Sequence, residues 1–147
     1  AMDINLTREI VEALPLTPIP RTPGYIAGMT NIRGEITTIV EIDELIGAGG
    51  SDKKADSEKF IIFVPDAARG ENIGMMVDEV FNVLDVHEKQ IERSENGGTT
   101  GRKSFIKGII RISNAPDGGE GASVSQRLVL YLDIEKLITH LFELASR

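Results

Sequence analysis

Cysteine and tryptophan are absent from the chain, which removes a disulfide framework and a thiolate metal site before any motif is read. Aromatics are scarce at 5%, with two Tyr and five Phe, so the core must come mainly from Ile, Val and Leu, the residues favoured on pleated, half-buried surfaces. No apolar run approaches the ~18 residues of a transmembrane helix. Positive charge is short as well. Lys and Arg number 16 against 23 Asp and Glu, and the net charge of −7 repels phosphate backbones and anionic lipid. These shortages set the expectation of a soluble, cytoplasmic protein with no direct membrane insertion and no nucleic-acid partner.

What is present leans toward strands. At 147 residues, 41% of them hydrophobic, the chain can form one domain or two small lobes. Alternation from Met2 to Leu6, continuing through Ile10 and Val11, predicts a strand. Pro15, Pro18, Pro20 and Pro23 follow; each removes a backbone donor and extends its predecessor, which predicts an extended connector. Residues 25–32 and 35–42 predict a hairpin around Arg33-Gly34, because Gly supplies the positive φ that short hairpin turns need. On its second arm Ile36, Thr38, Val40 and Ile42 share one face, expected to be buried, and Glu35, Thr37, Ile39 and Glu41 share the other. Asp43 offers a cap for a short helical turn ending at Gly47.

Residues 47–58 have lost apolar periodicity and read as a flexible connection, the best boundary in the chain. Beyond it, 59–65 reads as a buried strand, 66–72 as a turn and 73–86 as one long strand bent near Asp78. Residues 87–104 read as loop, 105–113 as a strand, 114–126 as a second flexible stretch and 127–134 as a strand. From Asp133, placed as a cap, the apolar residues Ile134, Leu137, Ile138, Leu141, Leu144 and Ala145 recur at helical spacing and predict an amphipathic helix.

Motifs that would carry chemistry fail on detail. Gly97 to Ser104 has the look of a phosphate-binding loop, but Arg102 precedes Lys103 where a Gly is required and no apolar strand leads in. His87 and His140 have no second ligand at metal spacing, and both are read as surface histidines. Asp78 and Glu79 fall on opposite faces of a strand, where they cannot share a proton. No catalytic, metal or cofactor-binding residue is assigned. Arg33 alone stands out, since a guanidinium at a turn is either a solvated residue or a rigid fork of donors for a partner.

The segment "REIVEALPLTPIPRTPGYIAGMTNIRGEITTIVEIDELIG" resembles the first half of a CheW-type domain, with its G-x-x-N-L-R-G hairpin. "IGMMVDEVFNVLDV", "FIKGI" and "LVLYLDIEKLI" resemble the later segments in the family's order. The resemblance implies a mainly β fold of two SH3-like five-stranded barrels packed together, with lobe one about 1–50, lobe two about 58–132 and the helix about 133–146. It also implies that the family's first strand is missing before Met2. Ile32 replaces the usual Leu, and Thr38 stands where Pro is common. The implied function is a non-enzymatic adaptor joining the cytoplasmic tip of a chemoreceptor to the regulatory domain of the histidine kinase CheA. Carried over residue by residue, the receptor- and kinase-binding set is Glu9, Ile10, Val11, Gly28, Asn31, Arg33 and Gly34. The alternative is a regulatory domain of CheA or CheV type belonging to a larger signalling protein, and a remote one is a small nucleotide-binding or hydrolytic protein.

Overall fold

The computed structural model describes residues 1–46, 58–93, 105–114 and 125–145. Strand-forming runs punctuated by Gly and Pro produce two sheets. The larger has five strands: β1 (Thr7–Glu12), β2 (Ile26–Ile32), β3 (Glu35–Glu41), β4 (Lys59–Phe63) and β5 (Ile73–Val77), in the order β1-β4-β5-β3-β2. All neighbours are antiparallel except β3 and β5, which run parallel with Thr38 opposite Ile73. The smaller sheet has β6 (Ile91–Arg93), β7 (Ile106–Asn114) and β8 (Ser125–Leu132) in that order. A short helix α1 (Ile42–Ile46) follows β3, and α2 (Ile134–Ala145) follows β8.

The five-stranded sheet is buried on both faces, because alternate residues of its central strands feed two cores. Ile61 and Phe63 of β4, Val40 of β3 and Ile73 and Met75 of β5 pack with Phe105 and with Ile134, Leu137, Ile138 and Leu141 of α2. Phe60 and Ile62 of β4 and Ile39 of β3 turn the other way, to Ile32 and the flanking Val11, Ala13 and Leu16. The sheet curls around this second core. Thr17, in the proline-bearing connector after β1, exchanges two backbone hydrogen bonds of 2.8 and 2.9 Å with Met29 of the opposite edge strand. The helix spacing is met, and Asp133 caps α2 with its carboxylate accepting from the Lys136 N–H at 3.0 Å.

The start of the chain ties the two sheets together. Ala1 N–H donates to Leu130 O at 2.7 Å and Leu132 N–H donates to Ala1 O at 2.9 Å, so the first residue lies along the free edge of β8. The Tyr131 hydroxyl donates to Asp3 Oδ1 at 2.5 Å, and Lys107 Nζ lies 3.5 Å from Asp3 Oδ2.

The mainly β class and the terminal helix agree with expectation, while several boundaries are corrected. Residues 4–6 form a 3₁₀ turn, so the first strand begins at Thr7. Neither face of the 35–42 arm is the buried one: Ile39 and Val40 are both fully buried in different cores, and Ile36 is exposed. α1 begins at Ile42, which places Asp43 in its first turn rather than at its cap. The break at 47–58 does not divide the sheets, since β4 and β5, which follow it, hydrogen-bond with β1 and β3, which precede it. The expected strand 73–86 ends at Val77, and residues 79–87 run without ladder pairing, leaving Phe81, Val83 and Leu84 exposed. The second sheet has three hydrogen-bonded strands among the described residues. The expected loop 87–104 includes a 3₁₀ turn and β6. The expected connection 47–57, the basic loop 97–104 and residues 115–124 lie outside the described residues.

Tyr131 gives the clasp between the sheets a spectroscopic handle. Its hydrogen bond to Asp3, reinforced by burial, pushes the phenol from its ordinary 10 up to about 12. The native state therefore holds this proton more tightly than the unfolded chain, so the contribution to stability is full below pH 10 and is lost as pH rises through about 12. A spectrophotometric titration is expected to show one of the two tyrosines ionising near 12, and Asp3→Asn is expected to bring that step down toward the ordinary value.

Candidate functional site

Seven residues singled out from sequence fall around one end of the five-stranded sheet, and the structure divides them by what their side chains do. Arg33 and Gly34 are the two residues between β2 and β3, with φ of 53° and 85°. Two consecutive positive φ values make the mirror-image turn whose twist matches that of the flanking strands. The Asn31 side chain completes it, its Oδ1 accepting from the Gly34 N–H at 2.8 Å. An L-residue with a side chain pays roughly 1 kcal/mol to sit in this region, where Asn or Gly sits with little strain. Arginine at the first turn position is thus held there against local preference.

Its guanidinium is 76% exposed, and Nη2 lies 2.9 Å from Glu9 Oε2. Glu9 is on β1, the far edge of the sheet from the hairpin in hydrogen-bonding order, so the contact exists only because the sheet curls. The Glu9 side chain is 16% exposed, and its Oε2 is enclosed without an aligned hydrogen bond. The pair is accordingly an ion contact at close range rather than a directed bond, and the exposure of the arginine keeps its weight small. A second pair crosses the same gap: Arg8 Nη1 donates to Glu35 Oε2 at 3.2 Å. Ile10 and Ile36, each two residues or fewer from a member of these pairs, are 45% and 56% exposed.

Of the predicted set, Glu9 and Arg33 meet directly, Ile10 faces solvent, and Asn31 and Gly34 build the turn. Val11 points inward and packs against the core around Phe60. Gly28 is buried at a β-bulge in β2 with φ of 151°, and a Cβ there would lie 2.8 Å from Thr17 O, so it admits the crossing connector rather than a partner. Arg8, Glu35 and Ile36 join the site only through the fold. The opposite charges at adjacent positions 8–9 and near the turn were visible in the sequence, but only sheet curvature shows that they pair.

The histidines are accounted for structurally. Gln90 Oε1 accepts from the His87 N–H at 3.0 Å in the 3₁₀ turn. His140, expected at the surface, is half-buried with its ring 5.2 Å from that of Phe105, because the helix face at this point rests on the end of the second sheet. Thr38 shows why a departure from the common Pro matters: its N–H donates to Asn72 O at 3.0 Å, a bond Pro lacks.

Residues 1–142 match the CheW-like domain. The chain is 28% identical to the chemotaxis protein CheW of Thermotoga maritima, over 94% of this chain and 79% of that one. It is 27% identical to the chemotaxis protein CheW of Rhizobium meliloti, over 76% of this chain and 69% of that one. The fold is similar to the crystal structure of the scaffolding protein TtCheW from Thermoanaerobacter tengcongensis, with a TM-score of 0.67 at 25% identity, covering 89% of this chain and 74% of that chain.

Gly28 separates scaffold from contact experimentally. Gly28→Ala is expected to lower stability by about 2 kcal/mol or more, through a strained φ and a clash with the connector. Chemical denaturation checks this; a variant as stable as the wild type would return Gly28 to the contact set.

Proposed function

The chain belongs to the CheW-like domain family, and from that premise we propose that it is a non-enzymatic chemotaxis adaptor coupling chemoreceptors to the histidine kinase CheA. The receptor's cytoplasmic tip contacts the β2–β3 hairpin and β1, and the kinase contributes its regulatory domain to the same assembly. Arg33 makes the principal polar contact. Ile10, the exposed residue after Glu9 on β1, adds an apolar contact, and Glu9 stands behind the guanidinium. Asn31, Gly34, Gly28 and Val11 hold the hairpin and its strand in place. The protein works in the cytoplasm at membrane-anchored receptors. No helix among the described residues is long and apolar enough to cross a membrane, so attachment through a receptor is consistent with this placement.

The observation that carries the reading is the conformation of Arg33. Residues in sparsely populated backbone regions persist where something other than local stability selects them. At this turn position Asn is the relaxed choice, yet the chain presents an exposed guanidinium on a φ of 53°. A fork of donors in that position suits bidentate pairing with carboxylates on a partner.

The test uses the variant that the turn itself prefers. Arg33→Asn is expected to melt near the wild-type temperature, the relaxed turn offsetting the lost contact with Glu9, while its co-sedimentation with a receptor cytoplasmic tip and kinase weakens by roughly tenfold, the scale of a central contact residue. Arg33→Glu, which adds a like charge beside Glu9, is expected to weaken assembly further. If the stable Asn variant assembles and activates kinase as the wild type does, the proposed role of the hairpin is wrong.

A further inference from the structure

The two ion pairs at the hairpin differ in what they leave accessible. In the first, Glu9 is turned inward and only Arg33 faces solvent; in the second, the Arg8 and Glu35 side chains are 43% and 51% exposed. The outward face of the tip therefore carries two cations and one acid, on a protein whose net charge is −7. Such a patch attracts anionic groups, and Glu35 is the element within it that opposes them. Its bond to Arg8 spans solvent and is worth about 0–1 kcal/mol, so an incoming carboxylate can exchange for it at little cost.

We propose that Arg8 is a second cation of the partner contact and that Glu35 is a specificity-determining residue that masks it. The partner surface is an acidic segment of the receptor tip whose carboxylates replace Glu35 on Arg8 and whose apolar side chains meet Ile10 and Ile36. This rests on the hairpin being the receptor contact. The geometry requires no backbone change: Glu35 is the first residue of β3, its strand pairing to Ile32 is through the backbone, and only its side chain has to swing away. The device sets affinity by internal competition, so that a partner poor in acid at this position gains nothing from Arg8.

The experiment measures binding of a soluble receptor cytoplasmic-tip fragment to the full chain by calorimetric titration at low and high salt. Glu35→Gln is expected to tighten binding by roughly two- to fivefold at low salt, the factor that an exposed pair is worth, with the gain shrinking as salt rises. Arg8→Gln is expected to weaken binding, and the double variant to match Arg8→Gln alone. Binding unchanged or weakened by Glu35→Gln, or a gain that persists in the double variant, overturns the masking. If Arg33→Asn also leaves binding of the fragment unchanged, the reading of the hairpin as the receptor contact falls with it; if Arg33→Asn weakens binding while Glu35→Gln fails to tighten it, only the masking falls.

Discussion

The two-sided burial of β4 is the constraint on which the rest depends. Phe60, Ile61, Ile62 and Phe63 are all buried, alternating between the core under α2 and the core inside the curled sheet. Each such side chain contributes roughly 1.5–3 kcal/mol when fully removed from water, so the strand can have no solvent face. One side must be covered by another element, and α2 supplies it. The other side must be covered by the sheet itself, which forces curvature and brings β1 round toward the hairpin. The Arg33–Glu9 and Arg8–Glu35 contacts are consequences of that curvature. The tip is positioned by hydrophobic burial elsewhere, and the ion pairs trim its electrostatics without holding the fold.

That division explains which features were legible in the sequence. The hairpin was, because a Gly-bearing two-residue turn between alternating runs is specified locally. So was α2, where the 3–4 spacing from Ile134 to Leu141 and the Asp133 cap act within one element. Composition alone extends β5 too far, because Val80, Val83 and Val86 continue a strand-forming pattern past Asp78 while ladder pairing stops at Val77. β6 escaped because a three-residue strand with one apolar side chain has no periodicity to detect. The break at 47–58 marks a change of composition, yet hydrogen bonds between β3 and β5 and between β1 and β4 pass over it.

Within the site, legibility failed at the same joint between local and long-range order. Arg33 could be placed at a turn from its neighbours, but its partner is 24 positions away on a strand that is not adjacent in the sheet, so nothing short of the curled fold pairs them. Gly28 could be singled out only by resemblance. The structure gives it a packing reason, the passage of Thr17 across β2, which accounts for a glycine there without any partner.

The contrast between Gly28 and Arg33 sharpens what counts as a functional signal. Both occupy positive-φ positions in the same strand-turn unit, Gly28 at φ of 151° and Arg33 at φ of 53°. For Gly28 the residue type relieves the strain and makes room for the carbonyl of Thr17. For Arg33 the residue type creates strain that Asn would avoid, and the intramolecular return is one ion contact whose guanidinium side lies open to solvent. That imbalance is the observation on which the proposed contact rests. The same reasoning leaves Arg69 aside. It too has φ of 53°, but its guanidinium lies 5.0 Å over the ring of Phe142, on the helix that covers the main core, and that stacking supplies a reason within the fold.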